Sequence, residues 1–332
     1  MTSTKLVDLK TLDHVAQACG VDAEFINEYA NHPLQRDYYF PLKIPKRGRN
    51  RRGEYRVVFQ AKDHRLSSLH RSVAMIVAHS VQFADHVQGF RKKRSSRSNA
   101  KQHLAASVIL HADIKSFFDT ITTEQVRVAL IATGMPASVA AILAKACTIE
   151  GFLRQGTRCS PILANLVCDN LDRKLLTLAR SHGSVFTRYA DDLTFSGDQV
   201  PSFTSVRMVV ESEGFSLRDK KCRYQYKGRC QYVTGLSVND AAMPRLPKRM
   251  KSRLRLIFHY IEKYGLSEHW HRTGEKNPHR KERWLEGMLT YAASIEPVLV
   301  NKWQDILASA QAQRAAAARR RYFSDKGVDD PF

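Results

Sequence analysis

The 332-residue sequence predicts an α/β fold in which short strands alternate with amphipathic helices. Apolar residues from Val108 to Leu110 lead into Asp113, a pattern typical of a buried strand. Apolar and aromatic residues on both sides of Asp191 and Asp192 predict two more strands joined by a tight turn. Apolar residues at helical spacing predict a helix over residues 63–88. These segments favour a sheet flanked by helices.

The charge of the chain predicts a polyanionic partner. Lys and Arg number 53 against 32 Asp and Glu, which gives a net charge of +21. Such an excess favours nucleic acid over an anionic membrane surface. No apolar run approaches the ~18–20 residues of a membrane helix, and the polar start lacks a secretory signal, so we expect a cytoplasmic protein without a membrane partner. The six cysteines show no Cys-x-x-Cys spacing, which favours reduced thiols over a zinc site or a disulfide framework.

The chain begins with a predicted helical segment and a predicted hairpin. Residues 1–34 carry apolar positions at helical spacing and predict a helical N-terminal extension. Strands at 38–45 and 54–59 then enclose a basic, glycine-bounded loop, whose tip cannot be buried. A solvated loop is the simplest interpretation of such charges, but the overall charge favours phosphate contacts. The arginines expected to make them are Arg49, Arg51 and Arg52.

Three aspartates are the candidate metal ligands. Asp113 ends one predicted strand, while Asp191 and Asp192 occupy the turn between two others. Taken alone, an Asp-Asp pair is also typical of a solvated turn, and an Asp after a strand is often a helix cap. A turn that brings two carboxylates near one point indicates a divalent cation, because neighbouring strand residues face opposite ways. Three such acids can hold two Mg²⁺ ions about 3.5–4 Å apart, which activate an attacking hydroxyl and stabilise a leaving pyrophosphate.

Three elements of the sequence resemble motifs of the reverse transcriptases. Residues 189–192 (Tyr-Ala-Asp-Asp) resemble their Tyr-x-Asp-Asp turn, and Asp113 resembles the metal ligand that precedes it. Residues 155–161 resemble their Gln-Gly-x-x-x-Ser-Pro element, in which a glycine turn lets the backbone approach nucleotide and template. On physical grounds alone, Ser160 and Pro161 predict a helix start, with Ser as the cap and Pro in the first helical position.

Two shorter elements narrow the resemblance to the bacterial retron-type reverse transcriptases. Residues 99–103 (Asn-Ala-Lys-Gln-His) are similar to an Asn-Ala-x-x-His element of that group. Residues 233–236 (Val-Thr-Gly-Leu) match its Val-Thr-Gly element. The first stands before Asp113 and the second after Asp192, which is the order that the group shows.

The resemblance implies a right-hand polymerase fold. In such a fold, fingers and a helical thumb accompany a palm built on an antiparallel sheet flanked by helices. Residues 35–242 would form interleaved fingers and palm, and residues 243–310 the thumb. Residues 311–332 would form a basic tail.

The resemblance also implies an RNA-directed DNA polymerase with two Mg²⁺ ions. It places Ile114 in the metal site beside the catalytic Asp113, Asp191 and Asp192. Lys221 would protonate the departing pyrophosphate, with Lys220 as its rival, although a Lys pair here could equally be surface charge. An arginine would meet the nucleotide phosphates, and an aromatic ring would screen the ribose. The nucleotide-binding residues implied in this way are Arg56, Phe118, Gln155 and Gly156.

The predicted RNA contacts lie away from the metal site. A basic amphipathic helix over 248–261 looks like part of a thumb that grips a duplex, although a calmodulin target or a membrane-surface helix shares the pattern. The 99–103 element implies RNA recognition, whereas a lone His is usually structural. With the loop arginines, the expected RNA-binding residues are Arg49, Arg51, Arg52, Asn99, His103, Arg249, Arg253 and Arg255.

The partners follow from the same resemblance. A retron enzyme binds its own structured non-coding RNA, uses deoxynucleoside triphosphates, holds an RNA/DNA hybrid and primes from a guanosine 2′-hydroxyl. Its product is branched RNA-linked single-stranded DNA, and retron systems are associated with phage defence and a separate effector protein. Alternatives are a bacterial reverse transcriptase of the abortive-infection or intron type, or a non-catalytic RNA-binding scaffold. Arg154, Arg158 and Cys159 depart from the residues frequent in retron sequences and bear on template choice.

Overall fold

The computed structural model describes residues 4–46, 53–274 and 276–326. The chain divides into two compact units, the first ending at Arg229 and the second beginning at Cys230. The division precedes the predicted start of the thumb at residue 243, so the second unit includes the 233–236 element. The loop residues Arg49, Arg51 and Arg52 lie outside the described residues.

The first unit contains two antiparallel sheets. Its strands are β1 (Tyr39–Pro45), β2 (Tyr55–Ala61), β3 (Val108–Asp113), β4 (Val185–Tyr189), β5 (Asp192–Gly197) and β6 (Arg223–Tyr226). β1 and β2 pair with each other as a hairpin. The other four strands form one sheet in the order β4-β5-β3-β6, with every neighbouring pair antiparallel. The predicted α/β fold, with its antiparallel sheet, is confirmed.

The helices of the first unit cover these sheets. They are α1 (Leu12–Cys19), α2 (Ala23–Asn31), α3 (His64–Ser80), α4 (Ser96–Lys101), α5 (Phe117–Thr120), α6 (Thr123–Ala132), α7 (Ala137–Cys147), α8 (Ser160–Val167), α9 (Asp169–Arg180) and α10 (Phe203–Ser212). α1 and α2 join the same core as the sheet, because Ile26 and Tyr29 are fully buried in it. The Tyr29 hydroxyl also lies 2.7 Å from the hydroxyl of Tyr39 on β1.

The predicted helix over residues 63–88 is wrong beyond Ser80, where α3 ends. Residues 86–89 of the following segment form backbone hydrogen bonds with β4 instead of continuing the helix. Val87 forms an isolated parallel bridge with Arg188, and the Gln88 amide donates to the Arg188 carbonyl at 2.8 Å. These backbone bonds replace the helical ones and bring Gly89 against the turn that follows β4.

The second unit is mainly helical. It contains β7 (Tyr232–Val233), β8 (Leu236–Ser237), α11 (Lys248–Tyr264), α12 (Leu266–Arg272), α13 (Pro278–Ile295) and α14 (Pro297–Lys326). Phe258 of α11 stacks on Trp303 of α14, with ring centroids 5.8 Å apart. The predicted boundary at 310–311 falls inside α14. Among the described residues, no helix is both long and apolar enough to cross a membrane.

Candidate active site

The three predicted metal ligands meet at one end of the four-stranded sheet. β3 and β5 pair in a register that sets Asp113 opposite Asp192. The turn between β4 and β5 consists of Ala190 and Asp191, so Asp192 opens β5 and does not lie in the turn as expected. Ala190 takes a left-handed conformation with φ of +60°, which is the distortion that brings the carboxylates together. One ligand oxygen from each aspartate lies within 4.8 Å of the others.

The electrostatics of this cluster fit a divalent cation. Burial and the neighbouring carboxylates raise the pKa of Asp191 above its usual range and that of Asp192 to about 7. The Oδ1 atom of Asp113 is buried without a hydrogen bond. Two cationic side chains partly compensate the negative charge of Asp113, since Lys221 contacts its Oδ2 atom and Arg218 lies 3.5 Å from its Oδ1 atom. A hard cation with oxygen ligands would satisfy all three acids at once.

The buried guanidinium of Arg188 contacts the backbone of the turn between β4 and β5. Arg188 has no exposed surface and donates to both carboxylate oxygens of the buried Asp172, at 2.7 and 2.6 Å. Burial alone would lower the pKa of Arg188, but the charge of Asp172 raises it above its usual value. The same guanidinium donates to the Asn165 side chain at 3.0 Å and to the Ala190 carbonyl at 3.3 Å. It therefore holds the residue that shapes the turn.

Gly89 packs against the turn that Arg188 and Asn165 support. Asn165 donates from its side chain to the Gly89 carbonyl at 2.9 Å. A Cβ atom on Gly89 would lie 2.4 Å from the amide nitrogen of Ala190, closer than real contacts allow. The turn is thus packed directly against the backbone of the segment that follows α3. Sequence reasoning missed this support, because neither Arg188 nor Gly89 carries a periodic signal.

The predicted RNA contacts by Asn99 and His103 are corrected by their burial. Both side chains are 1% exposed. His103 Nδ1 lies 2.7 Å from the Ser196 hydroxyl, and Nε2 lies 2.7 Å from the Thr187 hydroxyl. Because both ring nitrogens are engaged inside the unit, His103 braces β4 against β5 and has no atom left for a direct RNA contact.

The Gln-Gly turn packs against the β1–β2 hairpin. Gly156 has a φ of +107°, and a Cβ atom there would lie 2.6 Å from the Phe59 carbonyl. The Gln155 carbonyl accepts from the Phe59 amide at 2.7 Å. The close approach that requires glycine is therefore made to β2. The predicted helix start is off by one residue, since Cys159 is the cap of α8, Ser160 its first residue and Pro161 its second. The Ser160 hydroxyl bonds to that of Thr157 at 2.5 Å.

A cavity of about 870 Å³ joins several predicted residues to the acid cluster. Arg56 of β2, Gln155, Asp191 and Lys221 all line it. Lys220 is exposed and does not line it, which favours Lys221 of the two lysines. The wall carries further cations that the sequence did not single out for this cavity: Arg36, Lys46, Arg154 and Arg218.

Two further predicted site residues of the first unit, Phe118 and Ile114, do not line this cavity. Phe118 is half-buried and packs against Phe117 and Phe90, with ring centroids 5.4 and 5.9 Å away. The Ile114 amide donates to the Asp191 carbonyl at 2.9 Å and so ties β3 to the turn. The ribose-screening role of Phe118 and the metal role of Ile114 stay predictions.

The three departures from retron sequences have different surroundings. Arg154 lines the cavity and forms an ion pair of 2.9 Å with Asp119. Arg158 is exposed. Cys159 is fully buried, with its thiol 3.9 Å from the Cys147 carbonyl, so it cannot contact a template strand.

The predicted RNA-binding residues of the second unit lie on α11. Arg249, Arg253 and Arg255 are all exposed there. The Arg253 guanidinium lies over the Trp284 ring of α13, 4.7 Å from its centroid. These roles also stay predictions.

Comparisons with known proteins match this arrangement. The family model of reverse transcriptases (RNA-dependent DNA polymerases) matches residues 44–239. The retron Mx65 reverse transcriptase of Myxococcus xanthus is 34% identical, over 87% of this chain and 69% of its own length. The retron Mx162 enzyme of the same organism is 30% identical, over 78% of this chain and 60% of its own. The retron Ec86 enzyme of Escherichia coli is 32% identical, over 52% of this chain and 55% of its own length.

The chain therefore belongs to the reverse transcriptase family and is an RNA-directed DNA polymerase. Its relatives place it among the retron-type reverse transcriptases of bacteria. Both predictions are confirmed. Enzymes of this family depend on divalent metal ions, and the cluster of Asp113, Asp191 and Asp192 has the ligands for one.

Proposed function

We propose that the chain reverse-transcribes part of a cognate structured non-coding RNA with two Mg²⁺ ions. Synthesis begins at the 2′-hydroxyl of a guanosine in that RNA and yields branched RNA-linked single-stranded DNA. The observation that carries the proposal is the cluster of three carboxylates, one of which, Asp191, lines a cavity together with several cationic side chains. A triphosphate and a metal-bound reaction centre need these two surfaces side by side.

The residues divide the work as follows. Asp113, Asp191 and Asp192 hold the Mg²⁺ ions, which when bound activate the attacking hydroxyl and stabilise the leaving pyrophosphate. Arg56 offers its guanidinium to the phosphates from β2. Lys221, in contact with Asp113, delivers the proton that the pyrophosphate takes up.

The partners that we propose are the cognate RNA, the RNA/DNA hybrid, deoxynucleoside triphosphates and a separate effector protein of an antiphage system. The relatives supporting this proposal carry retron names. Exposed cations outside the cavity, including Arg249 and Arg255 on α11, supply affinity for the RNA backbone. Such contacts position a nucleic acid without reading its sequence.

Replacing one metal ligand tests the catalytic part. We expect Asp191→Asn and Asp192→Asn each to reduce primer extension by about a thousandfold or more, because each loses the charge of a metal ligand. RNA binding should stay within about twofold, since the exposed cations are unchanged. Primer extension and filter binding measure the two quantities. Asp169→Asn, which changes an exposed acid on α9, is the matched control.

A residual rate of a tenth of wild type or better in either variant would contradict the metal assignment. Equal losses of synthesis and RNA binding would contradict the separation of the two surfaces. Mg²⁺ titration of the wild-type enzyme, followed through the rate of extension, tests the requirement for two ions.

A further inference from the structure

The second unit contains a cavity that catalysis does not use. Its volume is about 370 Å³, within the ~300–1,000 Å³ typical of small-ligand sites. α11 and α13 supply most of its lining, and Gly235 of the turn between β7 and β8 and Pro247, just before α11, supply the rest. The residues that matter for its chemistry are Gly235, Met250, Arg253, Trp284, Met288 and Tyr291.

The walls of this cavity suit a flat, polarisable group. Trp284 is half-buried, and Tyr291 keeps 36% of its surface exposed. The planar guanidinium of Arg253 already lies over the Trp284 ring at 4.7 Å. Met250 and Met288 add thioethers, which adapt their shape to aromatic rings. Unstacked nucleobases bind proteins through this combination of aromatic faces and guanidinium planes.

The turn between β7 and β8 contributes Gly235, which has no side chain, to the cavity lining. Thr234 and Gly235 both have positive φ, at +46° and +82°, and join β7 to β8. A Cβ atom on Gly235 would meet nothing within 4 Å, so it is the backbone conformation that favours glycine here. The 233–236 element thus meets the basic helix α11 at one cavity, which gives this short motif a place in the second unit.

The charges around the cavity favour a nucleic acid. Arg249 lines it and is exposed, and Lys248 is exposed one residue earlier on α11. Lys251, in contrast, is held by Glu296 at 3.3 Å. The net charge of +21 opposes a second copy of the chain as the occupant. Phosphates on either side of an inserted base would meet the cations of α11.

We propose that this cavity receives one unpaired base of a folded RNA, stacked on Trp284, with Arg249 at a flanking phosphate. The inference rests on the proposed function, because it takes the occupant from the structured RNA that the enzyme copies. RNA loops and bulges splay out such bases, whereas a regular duplex hides them. The cavity would therefore distinguish a looped RNA from a paired one, which the exposed cations alone cannot do.

Hairpin RNAs with altered loops test the proposal on the full-length chain. The probes are a hairpin of about ten base pairs with a tetranucleotide loop, the same hairpin with an abasic loop, and its DNA counterpart. Wild-type protein should bind the first RNA about tenfold or more tighter than the abasic RNA. Trp284→Ala should remove this preference and leave the affinity for the abasic RNA unchanged. Tyr260→Ala, which removes an exposed aromatic of α11 outside the cavity lining, should keep it.

A second measurement needs no variant. Trp270 and Trp303 are buried, so Trp284 is the accessible one of the three tryptophans of the chain. Its fluorescence should be quenched by the hairpin with bases in the loop and not by the abasic hairpin. Photo-cross-linking from a 4-thiouridine in the loop should map to α11 or α13.

Three outcomes would overturn the proposal. Equal wild-type affinity for the base-bearing and abasic loops would mean that no base is read, leaving a protein partner as the occupant. Equal binding of RNA and DNA loops would assign the cavity to the DNA product. Cross-links outside the second unit would place the base elsewhere. These assays contain no Mg²⁺ or nucleotide, so failure of the proposed catalysis, which primer extension reports, cannot produce any of these results.

Discussion

The two units use arginine in opposite ways. In the first unit, Arg188 is the largest fully buried side chain among the described residues, and it is fixed by the carboxylate of Asp172. In the second unit, Arg249, Arg253 and Arg255 lie exposed on one helix. A buried, paired cation fixes a backbone, while exposed cations remain available to phosphate. The contrast indicates that the turn carrying Asp191 depends on a rigid support, whereas the exposed cations of α11 are accessible to the RNA that we propose they bind.

The largest expected effect comes from breaking the buried pair. Arg188→Met should destabilise the first unit by ~3–5 kcal/mol, because it leaves Asp172 buried without a partner. The double variant Arg188→Met with Asp172→Leu should recover much of this stability, since two apolar side chains then replace the pair. Primer extension should stay low in both, because the Ala190 carbonyl has lost its donor. Urea unfolding followed by circular dichroism measures the stability.

Full activity in the stable double variant would break the comparison, since Arg188 would then serve the core and not the turn. Lys248→Met on the exposed face of α11 is the matched substitution. It should change stability by no more than about 0.5 kcal/mol.

Alanine substitutions at two glycines, one in each unit, compare the rigidity of the two units again, with a smaller expected effect. Gly89→Ala should lower the rate of extension by about a hundredfold, since its Cβ would displace Ala190 and the adjoining acids. Gly287→Ala in α13 meets no atom within 4 Å and should stabilise its helix by ~0.5–1 kcal/mol. Extension rates and thermal unfolding distinguish the two. An active Gly89→Ala enzyme would show that the turn tolerates movement.

The smallest expected effect is a pH dependence that belongs to the first unit. Burial lowers the pKa of His103 from 6.5 to about 3. Between pH 6.5 and about 3, His103 is therefore protonated in the unfolded chain but neutral in the folded chain. The folded state is for this reason destabilised by His103 as the pH drops below about 6.5. The loss should approach ~1.4 kcal/mol per pH unit, which amounts to about 2 kcal/mol at pH 5.

Comparison of wild type with His103→Gln isolates this contribution. Hydrogen exchange of the β4 and β5 amides, corrected for intrinsic rates, reports the first unit alone. The stability difference between the two proteins should narrow from pH 7 to pH 5. A constant difference would show that the imidazole is protonated without cost.

The parts of the site that the sequence predicted are those with local patterns. The apolar run before Asp113 and the residues flanking Asp191 specify strands, and their pairing brings the three acids together. The motif residues Arg56, Gln155 and Lys221 line one cavity, as a shared nucleotide site requires.

The parts that the sequence did not predict depend on distant contacts. Arg188 is charged and directly precedes the motif at 189–192, so its sequence context gives no sign of burial, and its partner Asp172 comes from helix α9. The segment after Ser80 has apolar residues like those of α3, but pairing with β4 overrides helix formation. His103 is indistinguishable in sequence from a ligand, and only the hydroxyls of two strands show that it is structural.

The contact between Gly156 and β2 joins the β1–β2 hairpin to the Gln-Gly turn beside the cavity. The Gln155 carbonyl is tied to the Phe59 amide, and the next residue backwards, Arg154, is tied to Asp119 on α5. A displacement of the β1–β2 hairpin is therefore transmitted through the turn to the helix that carries Phe118. A template that pushed on the hairpin would then move the helix that carries Phe118, the residue that we expect to screen the ribose.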